Sequence, residues 1–207
     1  MKQQLKTAFW MTIVTTILFG LVYPFVVAAL AQAFFPRKAG GELICEGGVI
    51  IGSNLIGQEF SSPGYFHSRP SNGNYDGLNS GGSNLGPTNH LLISRVDHAA
   101  RDLRLQNPGR SVPVDLVTAS GSGLDPDISP AAAQFQVSRV ARERGMTEAA
   151  VRALVKKDTK GRQFGIFGEP RVNVLELNLE LDSVKPMPPQ SDITDPRERE
   201  SLGGSKR

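Results

Sequence analysis

The chain has 207 residues, 39% of them hydrophobic and 21% charged, and a formal net charge of +3. Lys2 and Lys6 precede a long apolar run; without these two the 23 basic residues fall to 21, against 20 acidic ones, and no basic stripe interleaved with aromatics remains, which excludes nucleic acid as a partner. The single cysteine, Cys45, excludes an intramolecular disulfide and has no Cys or His nearby to hold a metal; it reads as a small apolar residue in a strand.

Ala8 to Phe35 reads AFWMTIVTTILFGLVYPFVVAALAQAFF, with no Asp, Glu, Lys, Arg or His. Backbone buried in lipid must satisfy its own hydrogen bonds, so such a run predicts a helix. At about 1.5 Å per residue it reaches roughly 42 Å, more than the roughly 30 Å hydrocarbon core, and can span with tilt. A cleaved signal peptide is the competing reading, since Lys2 and Lys6 form a basic start and Ala29-Leu30-Ala31 and Ala31-Gln32-Ala33 are small-residue cleavage patterns. The run is much longer than the usual apolar region of a signal, about 7–15 residues, so an uncleaved anchor is expected. Thr12, Thr15, Thr16 and Gly20 form a small, polar stripe suited to contact with a partner helix in the membrane. Pro24 removes a donor mid-span, which a packed neighbour would tolerate. Lys2 and Lys6 before the span nearly balance Arg37 and Lys38 after it, so charge does not orient it. A short leading tail and a long following domain favour a cytoplasmic N-terminus.

Residues 1–7 thus read as a short tail, 8–35 as the transmembrane helix, 36–184 as one soluble domain and 185–207 as a disordered tail rich in proline, glycine and charge. Leu43 to Ile51 predicts a hairpin turning at Gly47-Gly48. From Ser61 to Asn89 the sequence is dense in Gly, Ser, Asn and Pro, yet Tyr65, Phe66 and Tyr75 argue for an ordered loop on the domain surface. His67 and Arg69 lie in it; without a second ligand at metal spacing, His67 reads as structural. Thr88 or Asn89 opens a helix whose Leu92, Val96, Ala99 and Leu103 share one face. Val112 to Thr118 predicts a buried strand. Ser129 is placed to cap a helix from Pro130 to Arg144, ended by Gly145, with Arg139, Arg142 and Arg144 favouring its C-terminal dipole. Thr147 caps a shorter helix with Val151, Leu154 and Val155 inside, completing a helical hairpin. Gly161 to Pro170 is a second Gly-aromatic loop. Val172 to Asp182 (VNVLELNLELD) alternates apolar and polar residues and predicts a strand with a bulge near Val174-Leu175.

The Ser120-Gly121-Ser122-Gly123 stretch is neither a nucleophile elbow nor a phosphate-binding P-loop, and Asp125 with Asp127 is too few ligands for a calcium loop. No stretch assembles a nucleophile, a base and an oxyanion hole. Pattern alone gives an α+β fold: a single N-terminal transmembrane helix, then one soluble α+β domain with long Gly-rich loops. It leaves two uses open: contact with other membrane proteins, or a free-standing anchored or secreted binding protein.

Several ungapped motifs favour the first, and the second stands as the alternative. Tyr65-Phe66-His67-Ser68-Arg69-Pro70-Ser71, Ser80-Gly81-Gly82-Ser83-Asn84-Leu85-Gly86-Pro87-Thr88-Asn89 and Val117-Thr118-Ala119-Ser120-Gly121-Ser122-Gly123-Leu124-Asp125-Pro126 come first. Ile128-Ser129-Pro130 and Phe167-Gly168-Glu169-Pro170-Arg171-Val172-Asn173-Val174-Leu175 follow. In this order and spacing the chain resembles the small C subunit of the Kdp-type potassium-transporting ATPase, from the anchor to about Asp182. The resemblance implies a single-pass protein of the bacterial inner membrane, its N-terminus cytoplasmic and its domain extracytoplasmic. It implies three partners: a channel-like subunit that selects potassium, a P-type subunit that hydrolyses ATP, and a small membrane subunit. The C subunit itself does no chemistry and is described as a chaperone raising the ATP affinity of the pump subunit. No cofactor is bound firmly; ATP enters only through the partner. Ser80, Gly81, Gly82, Ser83 and Asn84 resemble the Ser-Gly-Gly-Gln signature of transporter ATPases and form a candidate nucleotide or subunit-contact loop. An extracytoplasmic domain lies a bilayer away from cytoplasmic ATP, so the expected role of this loop is subunit contact.

Overall fold

The computed structural model describes residues 1–187. The apolar run is helical from Lys2 to Phe34, beginning earlier than its apolar stretch and stopping one residue sooner. It comprises α1 (Lys2–Ile17), a π-helical turn (Leu18–Val22) and α2 (Tyr23–Phe34). In the π turn the Tyr23 N–H reaches the Leu18 carbonyl, one residue further back than an α-helix allows. The wider turn lies directly before Pro24, whose ring would crowd the carbonyl four residues back. The helix itself thus widens where the proline enters. Phe35 leaves helical geometry, and a single turn, α3 (Pro36–Ala39), follows.

β1 (Leu43–Glu46) and β2 (Val49–Ser53) form the expected hairpin. Gly47 and Gly48 both have positive φ, 58° and 84°, the conformation a two-residue hairpin turn demands. Cys45 sits in β1, exposed. The region from Ser61 to Asn89 carries no regular element, but Phe66 within it is a fully buried core residue. The segment around Phe66 therefore runs through the domain interior, not over its surface as expected.

Asn89 accepts a hydrogen bond from the Leu91 N–H at 2.8 Å and opens α4 (His90–Gln106). Leu92, Val96, Ala99 and Leu103 are its half-buried face, as read from the sequence. Val112 to Thr118 is not a strand. Val114–Leu116 is a 3-10 turn with Leu116 buried and Val114 in solvent, and the Asp115 side chain is drawn aside to accept the Ser129 N–H. β3 (Asp127–Ile128) leads into α5 (Pro130–Arg144), capped by Ser129, whose hydroxyl accepts the Ala132 N–H at 3.1 Å. Gly145 ends α5 in the left-handed conformation, φ 57°. Thr147 caps α6 (Glu148–Asp158), which packs on α5.

β4 (Thr159–Lys160) and β5 (Arg171–Asn173) complete a three-stranded antiparallel sheet in the order β3-β5-β4. Of the alternating stretch only Val172 and Asn173 lie in a strand. Asn173 caps α7 (Val174–Val184), its Oδ1 accepting the Glu176 N–H at 3.1 Å. The residues α7 buries, Val174, Leu175, Leu177, Asn178 and Leu181, follow a helical period. The expected bulge at Val174-Leu175 is this strand-to-helix junction. The core lies among α5, α6, α7 and the sheet, around Phe66, Phe135, Ile128, Val140, Val151 and Leu177. Lys185–Met187, expected to begin a disordered tail, are held on the domain: Lys185 donates to the Gly145 carbonyl at 2.8 Å, and Met187 lies against Gly64. The remainder of that expected tail, 188–207, lies outside the described residues.

Candidate functional site

The Ser80–Asn84 loop is built against the loop Ala119–Leu124. The Ser80 hydroxyl and the Gly81 N–H both donate to the Ser122 carbonyl, at 3.0 and 2.8 Å. A side chain on Gly82 would meet the Gly121 carbonyl at 3.0 Å; one on Gly123, at φ 71°, would meet the Gly81 carbonyl at 2.9 Å. These glycines are where two backbones run in contact, a spacing that any Cβ would open. Ser71 ties in a third segment, donating to the Gly123 carbonyl at 2.7 Å and accepting from the Gly73 and Tyr75 N–H groups. Asn84 holds a left-handed backbone at φ 54°, and the Ser83 hydroxyl accepts the Leu85 N–H at 3.4 Å. Between these loops and α4 runs a cleft of about 330 Å³, lined by Pro70, Asn72, Ser83, Leu92 and Arg95 among others. The result is a braced surface of hydroxyls and amides.

Below it, Arg69 pairs with Asp125 at 3.1 Å, and the Gly57 N–H donates to the Leu124 carbonyl at 2.8 Å. Burial pushes the Asp115 carboxyl up, but the hydrogen bonds it accepts from Ser129 and the nearby Arg69 charge leave it below its ordinary range. Burial raises Asp127 in spite of its 3.0 Å pair with Arg171.

The Pro63–His67 segment carries a second, unexpected construction. A chain threading through a core must find partners for every backbone group. Here four helix side chains supply them. Asn178 of α7 accepts the Phe66 N–H at 2.8 Å and donates to the Phe66 carbonyl at 2.9 Å. Gln136 of α5 does the same for His67, at 2.8 and 3.1 Å. Arg139 donates to the carbonyls of Pro63 and Tyr65, and Arg144 to that of Gly64 at 2.7 Å. Arg139 and Arg144 thus face inward to hold this segment, where the sequence placed them at the helix dipole. Burial lowers Arg139 to about 10. His67 is structural, as expected: its Nε2 lies 3.0 Å from the Ser62 carbonyl, and burial with the Arg139 charge favours the neutral ring. Sequence reasoning missed Gln136, Asn178 and the two arginines. The available signal was a polar residue at a core position of each helix: Gln136 beside Val137 and Val140, Asn178 between Val174 and Leu181.

In the span, the Thr12 and Thr15 hydroxyls bond back to their own helix, to the Ala8 carbonyl at 2.9 Å and the Met11 carbonyl at 2.7 Å. Thr16 and Gly20 adjoin one another on an exposed face, with the Thr16 methyl 3.9 Å from where a Gly20 side chain would begin. The stripe and the Gly-rich loops are separate features of the chain.

The family model described as "K+-transporting ATPase, c chain" (KdpC) matches residues 5–183. A protein of Koribacter versatilis named potassium-transporting ATPase KdpC subunit is 57% identical over 191 residues, covering 91% of this chain and 98% of that one. Proteins of the same name from Methylococcus capsulatus and Rhodopseudomonas palustris (strain BisB5) are 52% and 50% identical, covering 87% and 88% of this chain and 97% and 98% of theirs.

Proposed function

Since this chain belongs to the KdpC family, the c chains of K+-transporting ATPases, we propose that it is a non-catalytic subunit of such a pump, held beside the other subunits by its span. The N-terminus is cytoplasmic and the domain extracytoplasmic. Ser80–Asn84 contacts the channel-like subunit and touches no nucleotide. The observation that carries this reading is the mutual bracing of the two Gly-rich motifs. Gly81 already gives its N–H to Ser122, and Gly82 faces the Gly121 backbone. A phosphate cradle needs such amides and close approaches free for the ligand. A neutral rigid surface is suited to docking on a protein, because little conformational entropy is lost on binding. The effect on ATP affinity attributed to the family then passes through the assembly, as preferential stabilisation of one state of the ATP-hydrolysing subunit.

The test is Ser83→Ala combined with Asn84→Gly, the glycine preserving the left-handed backbone. Weakened association with the channel-like subunit at unchanged intrinsic ATP affinity is expected. An intact complex with weaker ATP binding contradicts the reading.

A further inference from the structure

The loop Gly161–Pro170 belongs to neither construction described above. It is a tight hairpin: Gln163 and Phe167 bridge as antiparallel partners, the Gln163 N–H donating to the Phe167 carbonyl at 2.8 Å. Arg162 clamps its base, donating to both carboxylate oxygens of Glu169 at 2.8 and 2.9 Å. The tip presents Phe164, Ile166 and Phe167 to solvent, 91%, 72% and 63% exposed. Phe164 holds a left-handed backbone, φ 53°. For a bulky residue this conformation is disfavoured, and here it turns the ring outward instead of burying it. An exposed apolar tip, strained and clamped, is a preformed ligand for an apolar pocket.

We propose that this hairpin inserts into an apolar pocket on another subunit of the same potassium-transporting ATPase; this rests on the subunit reading above. Three observations select that occupant. The two phenylalanines and one isoleucine expose on the order of 400 Å², well short of the roughly 800 Å² per partner of a stable free association. A second copy meeting only through this tip would not stay bound. The basic residues within and directly flanking the hairpin are paired: Arg162 with Glu169, Lys160 with Glu176 and Arg171 with Asp127. They leave little free positive charge to draw anionic lipid headgroups. A domain tethered by its own span beside the pump subunits meets them at an effective concentration on the order of millimolar, at which so small a contact suffices.

The experiment places the photocrosslinker p-benzoylphenylalanine at position 164 of the full chain, co-expressed with the other subunits of its pump and irradiated in native membranes. A crosslink to another pump subunit is expected, lost when Ile166 and Phe167 are replaced by serine. Crosslinks only to lipid, to a second copy or to residues 188–207 of the same chain overturn the proposal, as does the absence of any crosslink. Co-purification of the unmodified chain with the pump is followed in parallel. If it fails, the subunit reading falls and takes the hairpin proposal with it; if it holds while the crosslink fails, only the hairpin proposal falls.

Discussion

Arg144 offers the sharpest test of how the domain is held together. Its side chain is wholly buried, 0% exposed. It donates to the Gly64 carbonyl, the Asp182 carboxylate and the Lys185 carbonyl, each at 2.7 Å, and its guanidinium lies 4.7 Å from the Tyr65 ring centre. One residue thereby joins the end of α5, the Pro63–His67 segment and the exit from α7. Arg144→Met keeps much of the volume and removes all three bonds. Asp182 and Lys185 are reached by solvent and rehydrate, so their loss is discounted, whereas the buried Gly64 carbonyl is left alone at about 1–3 kcal/mol. With the charged bonds and the ring contact added, the loss is about 3–4 kcal/mol. At about 2–4 °C per kcal/mol for a chain of this size, the domain melts roughly 10 °C lower. Near-ultraviolet circular dichroism of the full chain in mild detergent reads the tertiary transition while the membrane helix stays folded. Asp182→Asn, at a partly exposed site, serves as comparison and loses only about 1 kcal/mol. An Arg144→Met chain that melts within 2 °C of the parent, or no lower than Asp182→Asn, refutes the reasoning.

Asn178→Ala orphans the Phe66 N–H and carbonyl inside the core and is expected to cost about 2–4 kcal/mol, with faster hydrogen exchange at Phe66 as the specific signature. Burial and the neighbouring Glu180 raise the Asp158 carboxyl to about 6, above its unfolded value of about 3.9. The folded chain therefore binds that proton more tightly than the unfolded chain. The charge on Asp158 lowers stability above about pH 6, and this loss disappears as the pH falls through 6 toward 4. Asp158→Asn should raise the melting temperature at pH 8 and leave it unchanged at pH 4; a rise of equal size at both values would exclude titration as the cause.

Legibility from sequence followed the range of the interactions involved. Asn89, Ser129, Thr147 and Gly145 mark helix ends through bonds to backbone within three or four residues, and each was found where its chemistry placed it. The Gly47-Gly48 turn and the apolar span are equally local. Val174–Val184 was misread because leucine at every second position also supplies a helical stripe: Leu177 and Leu181 are one turn apart. The decisive feature was the Asn173 cap, with leucine and glutamate both strong helix formers behind it. Val112–Thr118 fails as a strand because Asp115 is committed to Ser129, fourteen residues away. Of the candidate loop, its glycines and serines were visible; that they face Gly121 and Gly123 was not, since nothing local joins positions some forty residues apart. The inward turn of Arg139 and Arg144 was hidden for the same reason. Their acceptors are carbonyls of a remote segment, and carbonyls leave no trace in residue identity.

A subunit of a potassium pump must leave the membrane in company with that pump. A mild-detergent pull-down of the full chain, tagged at its C-terminus, from potassium-starved native cells examines this association. Recovery of a channel-like protein together with a P-type ATPase is expected. Recovery of the intact, well-expressed chain alone would contradict it, and would favour a free-standing binding protein.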